Sequence, residues 1–494
     1  MSEPMFTPTW PDGLPVGDGW VTGLPTEEVH FPYTGSLVAR VPVGSAPLAR
    51  RALDEALAVR ESVGRLPSHV RRAALLGAHA VMTAHQDEFE QLLVLETGKP
   101  LVDCRVEVSR TLLTLQTAAE EVARLHGETV PLDLLPSGEG LIGFWVRKPI
   151  GVVVGIAGFN YPLLLASHKI APALAAGCPI ICKPAPQTPL ATLWLVHAVR
   201  EALVAAGGPA AAVQLVTGGP DVGVALTTDR RVGAVSFTGS AAVGHQIARD
   251  AAPTKVLLEL GSNAALVVAA DADLDAAADA VVRGGYYASG QACISVQRVV
   301  VVDSVREEFL RLLTGRIGQV ATGDPRKEST RVSALIDERS TRRVREWVQQ
   351  AVASGARLVR GGEVAEGVLE PTVLLDVPDG QAAWDEEIFG PVVAVRSVAD
   401  LDEAFDVVNA SRYGLHASVF TSSLETAFAA VDRIEVGGVI VNEVPGFRSD
   451  VMPYGGVKDS GSGREGPRFA IEELTVTRMA VIRPHTGATT TRKG

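Results

Sequence analysis

Residues 151–162 read GVVVGIAGFNYP, a short β-branched run between glycines that ends on an Asn-Tyr-Pro turn. Such a run is too short for a helix and carries the residues that fit a pleated, buried surface, so it reads as a core strand whose carboxyl end is the GFNYP turn. Working outward, further strand candidates follow at CPIICKP (178–184), VQLVTG (213–218), AVSFTG (234–239) and KVLLEL (255–260), with helical stretches such as 189–206 and 241–250 between them. Strand–helix alternation over 151–260 predicts a parallel, doubly wound α/β sheet. Open sheets of this kind bind ligands at their carboxyl edge, which is where GFNYP falls.

After residue 260 a second βα series begins with AALVVAADADLDAAADAVVRG and continues through QRVVVVD, ARLVRGG, VAVRSV, HASVF and GGVIVN, which predicts a second α/β domain. Ahead of the first strand, apolar residues recur three and four apart over 47–60, 70–95 and 106–125, the period of amphipathic helices. The pattern then changes to GETVPLDLLPSGEGLIGFWVRKP (127–149), which alternates and turns near 136–140 and reads as a long β-hairpin. The tail ELTVTRMAVIRP (473–484) alternates too and can pair with that hairpin or with another subunit. The final HTGATTTRKG (485–494) is polar and expected to fray.

The chain has 494 residues, a formal net charge of −12, a pI near 5.4 and a mean hydropathy of +0.20. That length needs more than one core. The acidic balance argues against a nucleic-acid surface, and the apolar runs stop short of the roughly 20 residues that span a bilayer. The start, MSEPMFTPTWPDG, has no basic and then apolar leader, so a cytoplasmic location is expected. The four cysteines, Cys104, Cys178, Cys182 and Cys293, are too few for a disulfide framework. No metal site is expected: Cys178 and Cys182 lie in an apolar GCPIICKPA setting without a further ligand.

Three residues stand where chemistry needs them. Cys293, in SGQACISVQRVVVV (289–302), sits between a Gly-containing loop and an apolar strand, a place that can hold sulfur rigid and accessible; the alternative is a buried structural thiol. Glu259 ends an apolar strand just before Leu260 and Gly261, where a carboxylate is costly unless paired or functional. Asn160, in GFNYP, offers an amide donor of the kind that stabilises a developing alkoxide, or it simply tolerates the turn.

Taken together with ICKPAPQTPL, SFTGSAAVG, LLELGSNAALVVAADADLD, DEEIFGPVVAV and PYGGVKDSGSGREG, these segments resemble the aldehyde dehydrogenase superfamily, in the family's order, from about residue 38 to 483. The resemblance implies an α/β fold with a Rossmann-type cofactor domain (1–126 and 149–259), an α/β catalytic domain (260–450) and oligomerisation segments (127–148 and 471–494). It implies oxidation of an aldehyde to its acid with reduction of NAD(P), with Cys293 as nucleophile and Glu259 as general base. Asn160 and the Cys293 backbone N–H would form the oxyanion hole. Cofactor contacts carry over to Ile156, Phe159, Asn160, Lys183, Pro186 and Gly219, to Phe237, Thr238, Gly239 and Ser240 before a helix that begins near Ala241, and to Leu260, Gly261, Glu387 and Phe389. The GxGxxG fingerprint is missing, since the glycines here are Gly239 and Gly244.

Many NAD-preferring relatives place a glutamate three residues after the strand lysine, where this chain has Pro186. Without a carboxylate to repel a 2′-phosphate, either NAD or NADP is admissible and NADP is favoured. Arg110 and Arg448 match regions that line the aldehyde entrance, so either is a candidate for binding an anionic tail, the alternative being a surface salt bridge. The wording of the motifs is nearest to relatives that oxidise lactaldehyde, glyceraldehyde 3-phosphate without phosphate uptake, and phosphonoacetaldehyde. Ala292 stands where some phosphate-handling relatives have an arginine, which argues against a phosphorylated substrate. A CoA-acylating relative and a non-catalytic member of the fold are the competing readings; Glu259 opposes the first and the intact trio opposes the second. The partners expected are a small aldehyde and a second copy of the chain, as a homodimer or homotetramer, because hairpin and tail otherwise leave apolar strand edges open.

Overall fold

The computed structural model describes residues 4–484; the polar end at 485–494 lies outside them. The strand expected at the start of the first series is Val152–Ile156, and it sits inside a six-stranded sheet in the order Gly461–Ser462, Lys255–Glu259, Val232–Thr238, Val152–Ile156, Ile180–Lys183, Val213–Leu215. The five strands of the expected series pair in parallel, and Gly461–Ser462 adds an antiparallel edge from a segment outside the expected cofactor ranges. Chain order runs outward from Val152–Ile156 in one direction and then resumes on its other side at Val232–Thr238. The switch point therefore opens a crevice between Ala157–Asn160 and Gly239–Ser240, as open α/β sheets do.

The second series forms a seven-stranded sheet in the order Arg357–Arg360, Thr372–Leu375, Val392–Val398, Arg298–Val302, Ala265–Val268, His416–Phe420, Gly438–Val441. ARLVRGG is its antiparallel edge, and all four strand residues there are exposed. The helical stretch expected over 70–95 is two helices, Ser68–Ala84 and Gln86–Thr97, joined at His85. Ahead of the helices lie two short antiparallel pairs, Leu14–Val16 with Gly19–Val21 and Thr26–His30 with Leu37–Pro42, which no periodicity announced. The first four helices share one apolar core with the first sheet: Leu53, Leu75, Phe89 and Leu115 are packed with Val153, Ile181 and Val235.

Two buried glutamates fix the helices behind the crevice. Glu107 accepts the Leu163 and Leu164 N–H groups at the start of Pro162–Ala176, and Glu96 accepts those of Leu190 and Ala191 at the start of Leu190–Ala205. Each supplies acceptors for helix-end donors that would otherwise be orphaned. The hairpin is a short strand, Glu128–Val130, on a long one, Ile142–Pro149, and the tail strand Thr475–Ile482 pairs along the whole of the latter within the same chain. That strand still leaves Val476, Met479, Val481 and Ile482 exposed. Among the described residues no helix is long and apolar enough to cross a membrane.

Candidate active site

Cys293 enters its position through a backbone that few sequences tolerate. Ala288, Ser289 and Gly290 all have positive φ, 49°, 57° and 74°. For a non-glycine residue such a conformation costs on the order of 1 kcal/mol or more and persists only where its surroundings hold it. Here they do. The Ala288 N–H donates to Asp103 at 2.9 Å, the Ser289 hydroxyl accepts from the Ser333 N–H at 2.9 Å, and the Gln291 side chain accepts from the Ile336 N–H at 3.0 Å. Gly290 has to be glycine, since a Cβ there would fall 2.1 Å from the Gly390 carbonyl oxygen. The loop turns Cys293 toward a cavity of about 320 Å³, and the residue is half-buried while Cys104, Cys178 and Cys182 are fully buried, none of the four in a disulfide.

Asn160 and Glu259 line the same cavity. Asn160 is held through backbone and side chain: its backbone carbonyl accepts from Lys99 Nζ at 2.8 Å and its side-chain Nδ2 donates to the Gln291 backbone carbonyl at 2.8 Å. An amide carries two N–H bonds, so one remains for a ligand. Lys99 is itself ion-paired with Glu107 and lies over the Tyr161 ring. Glu259 ends its strand with the side chain buried and Oε2 without a hydrogen-bond partner. Burial first, and then the Glu465 carboxylate, hold its carboxyl well above the usual range, against the pull of Arg448 and Lys169. Glu465 stays charged despite its burial because Lys169 and His168 contact it at 3.3 and 3.1 Å. Burial likewise pushes the Cys293 thiol up to about 12, against a hydrogen bond with Tyr454.

Of the expected cofactor contacts, Phe159, Thr238, Gly239, Ser240, Leu260 and Gly261 line this cavity together with Cys293, and Glu387 and Phe389 close it. Glu387 accepts the Ser262 N–H at 2.9 Å and presses on Gly261, where a Cβ would meet its carboxyl at 2.4 Å. Phe389 meets Phe159 edge-on at 5.6 Å. Ser240 begins the helix Ala241–Ala251 without capping it by its side chain, which leaves first-turn amides for an anion. Gly244 lets that helix close on Leu260, whose side chain would lie 2.3 Å from an added Cβ. Ile156, Lys183, Pro186, Gly219 and Phe237 lie off the cavity wall. Lys183 ends the neighbouring strand, buried, Pro186 is exposed in the turn beyond it, and Gly219 opens the helix Pro220–Thr227. The cavity beside the sulfur thus carries the start of the helix Ala241–Ala251, uncapped by a side chain, and a carboxylate resting on a glycine backbone.

The two candidate substrate arginines also reach the cavity, but neither is a surface salt bridge of the ordinary kind. Arg110 makes a two-pronged pair with Asp450 at 3.0 and 2.8 Å. Arg448 is buried, with 5% of its side chain exposed, donates to Glu465 at 3.1 Å, and lies 3.7 Å over the Tyr454 ring. Its Nε makes no hydrogen bond but lies 3.5 Å from the Asp450 carboxylate that also holds Arg110. The surface reading of Arg448 is corrected: the strand Lys255–Glu259 and its Gly461–Ser462 neighbour pull the 446–465 segment over the crevice.

Four site residues drew no attention in the sequence: His168, Lys169, Tyr454 and Glu465. The last two sit inside PYGGVKDSGSGREG, read there only as family wording. A His-Lys pair in the otherwise apolar LLLASHKIAPALAA was a usable signal, because buried charge inside an apolar helix needs a partner.

The aldehyde dehydrogenase family model matches residues 20–480. The chain belongs to the aldehyde dehydrogenase family. A 3-sulfolactaldehyde dehydrogenase of Priestia aryabhattai is 39% identical over 471 residues, covering 95% of this chain and 98% of that protein. Aldehyde dehydrogenase 21 from Physcomitrella patens, solved in complex with its reaction product succinate, superposes with a TM-score of 0.92 at 36% identity, over 97% of this chain and 99% of that one. A glyceraldehyde-3-phosphate dehydrogenase, GapN, from Methanocaldococcus jannaschii, complexed with NADP, gives 0.89 at 32% identity, over 92% and 99%. This aldehyde dehydrogenase is an NAD(P)-dependent enzyme with the α/β fold of its family.

Proposed function

We propose that this enzyme oxidises a short aldehyde with an anionic tail to the corresponding acid, through a thioester on Cys293. The observation that carries the reading is one cavity lined by a half-buried cysteine, a buried carboxyl with a free oxygen and an amide with a free N–H, together with Gly239, Ser240, Glu387 and Phe389. The Cys293 thiolate adds to the aldehyde carbon, and the alkoxide so formed is met by the free Asn160 N–H and the Cys293 backbone N–H. Loss of hydride from that carbon leaves the thioester, and Glu259 takes a proton from the water that cleaves it, freeing thiol and acid. When bound, NAD(P)+ would supply the hydride acceptor, with Glu387, Phe389 and the start of the helix Ala241–Ala251 among the residues that would hold it. Capture of the thioester by CoA would leave Glu259 without a task.

Support for the anionic tail comes from Arg448. Its guanidinium lines the cavity beside Cys293, where a cation can meet an anionic group of the substrate. Two of the relatives above act on molecules of this charge type, a sulfonate-bearing aldehyde in one and a reaction that gives succinate in the other. Arg110 and Arg448 share the Asp450 and Glu465 carboxylates, which leaves little net positive charge, so one carboxylate or sulfonate suits the pocket better than a phosphate dianion. The test is NAD(P)H formation with short aldehydes matched in length, anionic against neutral. Arg448→Leu is expected to raise KM for the anionic aldehyde about tenfold or more, the loss of a hydrogen bond to a charged group, and to raise it far less for the neutral one. Arg448→Lys should restore part of the difference. An equal rise for both aldehydes would rule out tail recognition.

For the cofactor, Pro186 leaves the turn beyond Lys183 without a carboxylate, and NADP is favoured over NAD. Pro186→Glu is expected to raise KM for NADP about tenfold more than KM for NAD while kcat is kept, since the charge acts at the far end of the dinucleotide. Equal weakening of both would assign the proline to the backbone turn alone.

Assembly as a homodimer or homotetramer is supported by the exposed apolar side chains of Thr475–Ile482 and by Leu424, Phe428 and Val431, which stand exposed along one face of the helix Leu424–Arg433. Light scattering at working concentration should give a multiple of the chain mass. A monomer would contradict it.

A further inference from the structure

Tyr454 is buried, and its hydroxyl forms a hydrogen bond with the Cys293 sulfur at 3.2 Å. The rest of the residue is fixed by contacts that do not involve that oxygen. Its backbone N–H donates to the Glu465 carbonyl at 3.1 Å, and the Glu465 N–H donates back at 2.7 Å. His416 meets the ring edge-on at 5.0 Å, and the Arg448 guanidinium covers one face at 3.7 Å. Ile294 and Leu415 complete the packing. Phenylalanine would satisfy every one of these contacts. The hydroxyl is the one part of Tyr454 that packing does not explain, and a buried hydroxyl is costly unless it is partnered. Its partner is the sulfur.

We propose that Tyr454 is a catalytic residue of this enzyme, whose hydroxyl donates a hydrogen bond to the Cys293 thiolate, aiming the sulfur and favouring the thiolate over the thiol. The inference rests on the reading of Cys293 as nucleophile. While sulfur carries its proton, either atom can donate; once it is a thiolate only the hydroxyl can, and a bond to an ion is the stronger of the two. The phenol keeps its own proton throughout. Burial, and next the sulfur itself, hold Tyr454 well above the usual tyrosine range, so it remains a donor as the thiol ionises. The Arg448 cation over the ring face draws electron density from the phenol and strengthens that donor.

The test is Tyr454→Phe in the full-length enzyme with NAD(P) bound, reading the rate of Cys293 alkylation by iodoacetamide against pH. Cys293→Ala supplies the background from the three buried thiols. The midpoint of the alkylation profile should rise by about one pH unit, so that alkylation below it is about tenfold slower. The acid limb of kcat/KM should move with it, while KM for NAD(P) and Tm stay as in the parent. An unmoved midpoint overturns the proposal, whether or not Tm falls, because a merely structural tyrosine would change stability and leave the thiol alone. Turnover by Cys293→Ala would instead overturn the nucleophile on which the proposal rests, and the two failures are told apart in the same set of proteins.

Discussion

Cys293→Ala should reduce NAD(P)H formation from every aldehyde by about a thousandfold or more, with cofactor affinity within about twofold of the parent. Only the sulfur forms the covalent bond, and Cys104, Cys178 and Cys182 are buried away from the cavity, so no neighbouring thiol can substitute. The variant also removes the partner of the Tyr454 hydroxyl, so a loss of about 1 kcal/mol of stability should accompany it, visible as a lower Tm. Cys293→Ser, which keeps a hydrogen-bonding atom there, should recover most of that stability and none of the activity. Cofactor binding is read by titration in the absence of aldehyde, which separates loss of chemistry from loss of fold. Turnover within tenfold of the parent would remove Cys293 from the mechanism.

Glu259→Gln should lose steady-state rate by about a hundredfold or more yet keep a burst of NAD(P)H of about one equivalent per site, because hydride departs before the thioester needs water. The pH dependence has a definite sign. Burial and Glu465 raise the Glu259 carboxyl, so its basic form is scarce at low pH and grows as pH rises through the raised value. The parent's kcat should therefore climb with pH, and the residual kcat of Glu259→Gln should lose that climb. Rapid-mix absorbance over a pH series checks both halves. A variant with neither burst nor turnover would place Glu259 before hydride loss, as the base that ionises the thiol.

Much of the fold was legible because periodicity is a local property. GVVVGIAG, CPIICKP, VQLVTG, AVSFTG and KVLLEL carry strand composition in their own letters, and each is a strand of the first sheet in the expected place. The single helix read over 70–95 failed for a local reason also: His85 ends one helix and precedes the next without disturbing the apolar period. The short N-terminal strand pairs went unread because runs of three to six residues give too few turns of any pattern to count.

By itself the sequence determined the α/β architecture, the order of the family's motifs and the identity of Cys293, Glu259 and Asn160 as the residues to watch, since each stands at the end of a strand or in a loop that its own neighbours define. Tertiary structure alone decided what those residues touch. Tyr454 meets Cys293 across 161 residues of chain and Asp450 meets Arg110 across 340, contacts that no window of sequence contains. It also decided that Arg448 is buried rather than exposed, and that the tail strand lies on its own chain's Ile142–Pro149. The physical reason is that hydrophobic period and turn chemistry act between near neighbours. The charge state of a buried carboxyl, or the partner of a buried hydroxyl, depends on whichever remote segments the closed fold brings within a few ångströms of it.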